Sequence, residues 1–371
     1  MRIAFVLRGY QDRPYRTLAA VFGVALPVVS MLIQLGFYDA VMTASTHFYR
    51  SLRFDVLLLS PDYLEFSQPG SIPRASLARS RAIPGVRATE PVFIGVQSWR
   101  VPRTERIHQI LVLGIDPWRN PFEAIPQGDL LERRDTLLYD RYSRPALGTW
   151  TKGMVAEVGG KALDVAGTFA FGAGFSALGL CVVSDRTFDR LSALPDRISL
   201  GLVQVEPGAR IDVVAERLRS ELAPDVEVAT RAQVLERERA YWRDATSLGI
   251  NLAVGCAIAL LVGIVVIYNI LSSDIASRLS EYATLKAMGF DDALLAGLIR
   301  LQAVGFALLA IPLSLGLAEI GYWFTRRETF LPVRMTWGRS AVALGLGLVM
   351  SLLAAQWSLR RLRRADPGDL F

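Results

Sequence analysis

The sequence predicts an α-helical membrane protein with four transmembrane helices and one α+β extracytoplasmic domain. Three observations predict it. Four apolar segments reach the roughly 20 residues that a helix needs to cross ~30 Å of hydrocarbon. Between the first and second of them lies a long stretch, 42–247, in which short apolar runs alternate with turn residues. The composition is mixed. Of 371 residues, 52% are hydrophobic and 20% charged. That is too apolar for an ordinary soluble chain, and too polar for one immersed wholly in lipid.

The elements follow in order. Residues 1–17 (beginning MRIAFVLRGY) form an amphipathic cytoplasmic segment, with Arg2 and Arg8 flanking apolar residues, that lies along the inner leaflet until Pro14 ends it. Residues 18–41 are the first transmembrane helix. Its apolar run is too long for a signal peptide and no small-x-small site follows, so it reads as an uncleaved anchor. Pro27 inside it is tolerable where neighbouring helices satisfy the freed carbonyl. Residues 248–271, 294–320 and 339–360 are the second, third and fourth transmembrane helices. A buried core helix of a soluble protein would be shorter and would carry a polar stripe.

Orientation is read from Lys and Arg in short flanks. Arg2, Arg8, Arg13 and Arg16 precede the first helix; Arg360, Arg361, Arg363 and Arg364 open the tail, 361–371. Four crossings put both ends on one side, so both termini are expected in the cytoplasm. The short periplasmic loop 321–338 fits this less well, because it carries Arg326, Arg327 and Arg334.

The 42–247 domain reads as folded. Segments 54–60 (FDVLLLS), 110–115, 201–205 and 226–229 have strand character; 72–82 and 210–222 look helical. Pro61, Pro69, Pro84, Pro102, Pro117, Pro121 and Pro126 punctuate the chain. Strands mixed with a few helices suggest an α+β domain of two lobes. Segment 231–245 (RAQVLERERAYWRDA) is polar, helical in pattern and leads into the second membrane helix, a position from which it can carry motion between domain and membrane.

Several classes of chemistry find no support. The net charge of +6 comes without the basic, aromatic-interleaved stripe of a nucleic-acid binder. Cys181 and Cys256 lie in different parts of the chain, and His47 and His108 stand apart from other ligand types. Neither a disulfide framework nor a metal site is expected. No cofactor is expected either. The nearest approach to a nucleotide-binding loop, Gly160-Lys161, has Val155 where the first glycine belongs and Ala162 after the lysine. Hydrolase and metalloprotease motifs are absent. Glu319 and Asp39 lie near helix ends, leaving no intramembrane carboxylate to mark an ion relay. The glycine-rich run 172–179 reads as a tight connection before it reads as a ligand-facing loop. The loop 272–293 holds Ile275, Leu279, Tyr282, Leu285 and Met288 at helical spacing, with Gly289 as a stop. Such a helix either rests in the headgroup layer or docks a cytoplasmic protein.

The loop sequence 281–290 (EYATLKAMGF) resembles the inner-loop motif of the FtsX/MacB-type permease superfamily. The layout is similar too: one crossing, a large outer domain, then three crossings. Further stretches resemble the DevC branch: QLGF at 34–37, LLLSP at 57–61, LLYDRYSRPALG at 137–148, EVGGKALDVAGTF at 157–169, and the tail LRRADPGDLF at 362–371. In this order they cover nearly the whole chain. The run 172–179, with GFSALG, departs from the branch's usual SF-x-A-D-G.

The resemblance implies an inner-membrane permease that hydrolyses no ATP itself. It implies a homodimer, each copy engaging a separate cytoplasmic ABC ATPase, with a membrane-fusion adaptor on the outer domain and an outer-membrane channel beyond. The coupling contacts it implies are Arg278, Glu281, Tyr282, Leu285, Lys286, Met288 and Phe290, joined by Asp366 and Phe371 of the tail. The implied function is ATP-driven export of a lipid, glycolipid or other small amphiphile. The alternative it leaves open is an FtsX-like regulator that signals across the membrane to cell-wall enzymes.

Overall fold

The computed structural model describes residues 14–101, 105–123, 125, 128–172, 177–192, 196–277, 292–329, 331 and 333–364. The chain divides into two compact units, one formed by Met1–Ala40 with Ser247–Phe371 and the other by Val41–Thr246.

The first unit is helical. Its elements are α1 (Pro14–Arg50, up to Ala40), α6 (Ser247–Ser277), α7 (Asp292–Thr329) and α8 (Trp337–Arg364). The stretches long and apolar enough to cross a membrane have 34, 31, 32 and 23 residues, the first of them, Thr17–Arg50, running on into the second unit. Pro14 opens α1 as described, and its missing N–H costs nothing in a first helical turn. Small residues let the helices approach closely, the packing mode available when lipid is as apolar as leucine. A Cβ on Gly23 would lie 2.7 Å from Ile270, and one on Gly263 would lie 3.0 Å from Pro27. Met31, Leu32, Ile299, Ala303 and Met350 fill the shared core.

The second unit is built on one nine-stranded sheet, ordered β11-β1-β10-β3-β4-β8-β5-β7-β6. Its long strand is β3 (Val86–Val101), paired with β10 (Leu200–Val205) near its start and β4 (Arg106–Ile115) further on. The far end of β3 also pairs with β6 (Val155–Val158), through Trp99 and Arg100. The path β3-β4-β8-β5-β7-β6-β3 therefore closes into a ring, in which β5 is Thr136–Asp140, β7 Lys161–Phe169 and β8 Leu180–Ser184. The remaining strands, β1 (Val56–Leu59), β10 and β11 (Glu227–Thr230), extend β3 as an open antiparallel sheet. Two lobes thus share one strand.

Both faces of this sheet are covered, which is why FDVLLLS shows no alternation: Val56, Leu57, Leu58 and Leu59 are all buried. Val56 and Leu58 face a cluster with Leu77 of α2 (Arg74–Ser80) and Val214 and Leu218 of α4 (Ile211–Leu222). Leu57 and Leu59 face Phe48 and Tyr49 at the end of α1. Within the ring, Trp99 is fully buried between Tyr139 and Trp150, with ring centroids 5.5 and 5.0 Å away. The Trp99 and Trp150 indoles both donate to the Leu147 carbonyl, at 3.2 and 2.7 Å. A small helix, α3 (Asp185–Leu191), is capped by the Ser184 hydroxyl.

Three details depart from the sequence reading. Segment 72–82 is not one helix: β2 (Ile72–Pro73) pairs with β9 (Arg197–Ile198) before α2 begins. Strand β3, which is not among the expected strand segments, runs through Pro91. Pro91 pairs with Gly201 on one side, and the β4 ladder opposite begins only at Phe93, so no rung is lost. Helix α1 continues to Arg50, nine residues beyond the expected membrane boundary, because Phe48 and Tyr49 are buried in the second unit's core. The α+β expectation with four apolar helices holds.

Candidate functional site

The expected coupling contacts Arg278, Glu281, Tyr282, Leu285, Lys286, Met288, Phe290, Asp366 and Phe371 lie outside the described residues. The run 172–179 is described only at its ends. The helices flanking 278–291 are held together by polar contacts at that end of the bundle. Gln302 of α7 donates to Asp274 of α6 at 2.7 Å, the Ser272 and Ser358 hydroxyls are 3.4 Å apart, and Arg300 donates to Gln356 at 3.4 Å.

The opposite end of the bundle is organised by an arginine that sequence reasoning passed over. Arg339 of α8 is 8% exposed. It donates to the Asp39 carboxylate of α1 at 2.7 Å and to the Arg334 carbonyl at 2.5 Å, and packs over the Tyr322 ring. Tyr322 in turn donates to the Leu32 carbonyl. A guanidinium this enclosed requires its partners, because an unpaired buried charge is costly.

In the second unit, the two chain connections to the membrane helices meet. The end of α1 arrives at Arg50. Helix α5 (Arg231–Ala240), extended by a π-turn over Tyr241–Ala245, leads away toward α6. Its start is fixed by a capping box between Thr230 and Gln233. Arg231 then reaches across: its guanidinium donates to the carbonyls of Leu52 at 2.9 Å, Phe54 at 3.3 Å and Arg50 at 3.0 Å. It also lies 5.1 Å over the Phe54 ring. A cation at the carbonyl end of α1 satisfies orphan acceptors and complements the helix dipole.

Two turns further along α5, Glu238 is fully buried. The Tyr63 hydroxyl donates to it and is itself bonded to the Tyr49 hydroxyl of α1. Buried Glu65 stands nearby. Arg237 donates to the Tyr63 carbonyl at 2.9 Å, lies over its ring and pairs with Glu227 at 2.7 Å. Burial pushes the Glu238 carboxyl up to about 8, against the pull of the Tyr63 hydroxyl, with the Glu65 charge adding to the rise. Tyr49 and Tyr63 are also raised well above their ordinary value, chiefly by burial. The arrangement is a tie between the last turn of α1 and the body of α5. It offers no nucleophile, and among the described residues no group of three His, Cys, Asp or Glu could hold a metal ion.

The loop that flanks the glycine-rich run is anchored from one turn. The buried Asp140 carboxylate accepts the backbone N–H groups of Tyr142, Phe171 and Gly172 at 3.1, 3.0 and 2.6 Å. At the other end of the run, the Arg144 N–H donates to the Leu178 carbonyl at 2.7 Å and the Leu180 N–H to the Ser143 hydroxyl at 3.3 Å.

Four membrane-length helices with a large folded domain inserted after the first define a polytopic membrane protein carrying one extramembrane domain. Residues 253–367, from α6 through α8, match the family model described as FtsX-like permease C-terminal. No curated protein matches the chain. Among solved structures, the extracellular domain of the noncanonic ABC-type transporter YknZ from Gram-positive bacteria is similar at 15% identity and TM-score 0.34, over 48% of this chain and 99% of that one. The periplasmic region of MacB from Actinobacillus actinomycetemcomitans is similar at 10% identity and TM-score 0.37, over 50% of this chain and 94% of that one.

Proposed function

We propose that this chain is the permease subunit of an ABC-type export complex, driven by a separate cytoplasmic ATPase. The observation that carries the reading is the FtsX-like permease match over 253–367. That segment contains the amphipathic stretch 272–293, which takes in the end of α6 and the start of α7. In this reading both termini are cytoplasmic and the 42–247 domain is periplasmic. The loop, through Arg278, Glu281, Tyr282, Leu285, Lys286, Met288 and Phe290, takes up the movement of the ATPase, with Asp366 and Phe371 beside it. Two copies of the chain work together in the inner membrane. Movement of α1 and α6 reaches the outer domain where Arg231 and Glu238 join α1 to α5, so both connections act on one place. The DevC-like stretches support a tripartite assembly with a membrane-fusion adaptor and an outer-membrane channel, moving a lipid, glycolipid or small amphiphile.

The test uses the full chain co-purified with its ATPase and reconstituted in vesicles. The triple variant E281A/L285A/K286A should lose ATPase association while keeping the wild-type melting profile. ATPase coupling undiminished in that variant would overturn the docking role of the loop. Retention of an adaptor by the outer domain supports export, whereas retention of a peptidoglycan hydrolase would assign the chain to regulation.

A further inference from the structure

The connection from α7 to α8 carries Arg326, Arg327 and Arg334, the charge that fitted the expected orientation least well. Packing accounts for part of it. Arg326 donates to Glu319 at 2.8 Å and to the Val333 carbonyl at 2.9 Å, and neighbouring Arg339 is held by Asp39. Arg327 and Arg334 are exposed, and neither has a carboxylate partner among the described residues.

Large apolar rings share this level. Arg339 lies 3.5 Å from the Tyr322 hydroxyl and Arg326 bonds Val333, which sets the last turn of α7 beside the first turn of α8. The next residues outward are Trp323, 48% exposed, Phe324, 56% exposed, and Trp337, 93% exposed. The Arg327 guanidinium lies 5.6 Å over the Trp323 ring. These residues stand at the ends of the apolar stretches Ala296–Arg327 and Trp337–Leu359. Indoles at the end of a membrane-length helix sit at headgroup depth. Guanidinium forks match phosphate oxygens in pairs. With Glu319 and Asp39 already engaged, Arg327 and Arg334 set against the one further carboxylate of the segment, Glu328, leave this level net positive.

We propose that Arg327 and Arg334, framed by Trp323 and Trp337, bind the headgroup phosphate of an anionic phospholipid. A zwitterionic headgroup brings its own cation and satisfies the pair less well. The assignment is independent of the ATPase reading and of which leaflet this end occupies.

The test reconstitutes the full chain in phosphatidylcholine vesicles and measures the association of spin-labelled phosphatidylglycerol relative to spin-labelled phosphatidylcholine. The wild-type chain should prefer phosphatidylglycerol, less so as salt rises. R327Q/R334Q should weaken that preference by about 5-fold for each charge removed, and R327K/R334K should keep most of it. Brominated phosphatidylglycerol should quench indole emission more than brominated phosphatidylcholine does, and W323F/W337F should remove the excess. If the double glutamine variant does not fold, R334Q alone carries the test at about 5-fold. An unchanged preference in the glutamine variants, with loss instead in R360Q/R361Q, would overturn the assignment and place the headgroup at the other end of the bundle.

Discussion

Glu238 is a carboxyl buried among two tyrosines, a second carboxyl and one flanking arginine, and its proton is part of the fold. The sign follows from linkage. The unfolded chain releases this proton near the ordinary 4.5, while the folded chain holds it to about 8. Stability from this residue is therefore lost as pH rises from 4.5 to about 8, by at most about 1.4 kcal/mol per pH unit. Asp140 and Glu90 are raised by burial as well and His47 is lowered, so the comparison that isolates the residue is wild type against E238Q. Melting of the full chain in detergent should show E238Q gaining on wild type across that window. A difference that stays flat with pH would mean that Glu238 ionises normally. Such a residue is hard to read from sequence. The alternating charge of ERERA at 236–240 looks like a solvated helix face, and only the loop that brings Tyr63 over α5 reveals that one of its glutamates is enclosed. Arg339 was hidden in the same way, by its place in the first turn of α8 just after a basic connection in which Arg327 and Arg334 are exposed.

The helices declare themselves differently from the strands. Apolar length alone identifies α1, α6, α7 and α8, because lipid imposes a single requirement that any window of sequence can be tested against. Where α1 stops is not legible by that rule, since residues 41–50 change surroundings without changing secondary structure. Segment 54–60 is recognisable as a strand because it is β-rich and unbroken. Strands β5, β6 and β8 are short, and β3 is crossed by a proline whose harmlessness depends on a neighbour that starts two residues later. The 137–148 stretch could be quoted as a resemblance. Its physical role, with Asp140 gathering three backbone donors and Ser143 holding Leu180, requires the fold. Close helix packing also gives a prediction. A Cβ on Gly36 would run into the Tyr322 ring and hydroxyl, so G36A should force Tyr322 off the Leu32 carbonyl. A loss of about 1–3 kcal/mol is expected, read as a lower unfolding temperature of the full chain. G316A, where a Cβ meets nothing within 4 Å, should leave that temperature unchanged.

For the molecule as a whole, the place where α1 and α5 are tied is the place through which force must pass if the chain works as proposed. R231A removes three hydrogen bonds from a charged donor to backbone carbonyls, at about 1.5–3 kcal/mol for the set of contacts a charge supports. Two readouts are expected to separate. The ATPase should still co-purify with R231A, since the loop 272–293 is untouched, while transport in vesicles should fall. Loss of ATPase binding together with transport would indicate general unfolding, and transport at the wild-type rate would remove Arg231 from the transmission route.

A β-sheet ordinarily offers its rims to any extended peptide that can zip onto them. Here β3 through β6 return on themselves, so that lobe has no rim to offer. On the open side, β11 is four residues long and Arg219 already occupies the Val228 carbonyl. A donated strand thus finds only the short β11 edge, with one of its carbonyls already taken. A protein that assembles on this domain elsewhere reads side chains and loops, which leaves its specificity free to drift without disturbing the scaffold beneath.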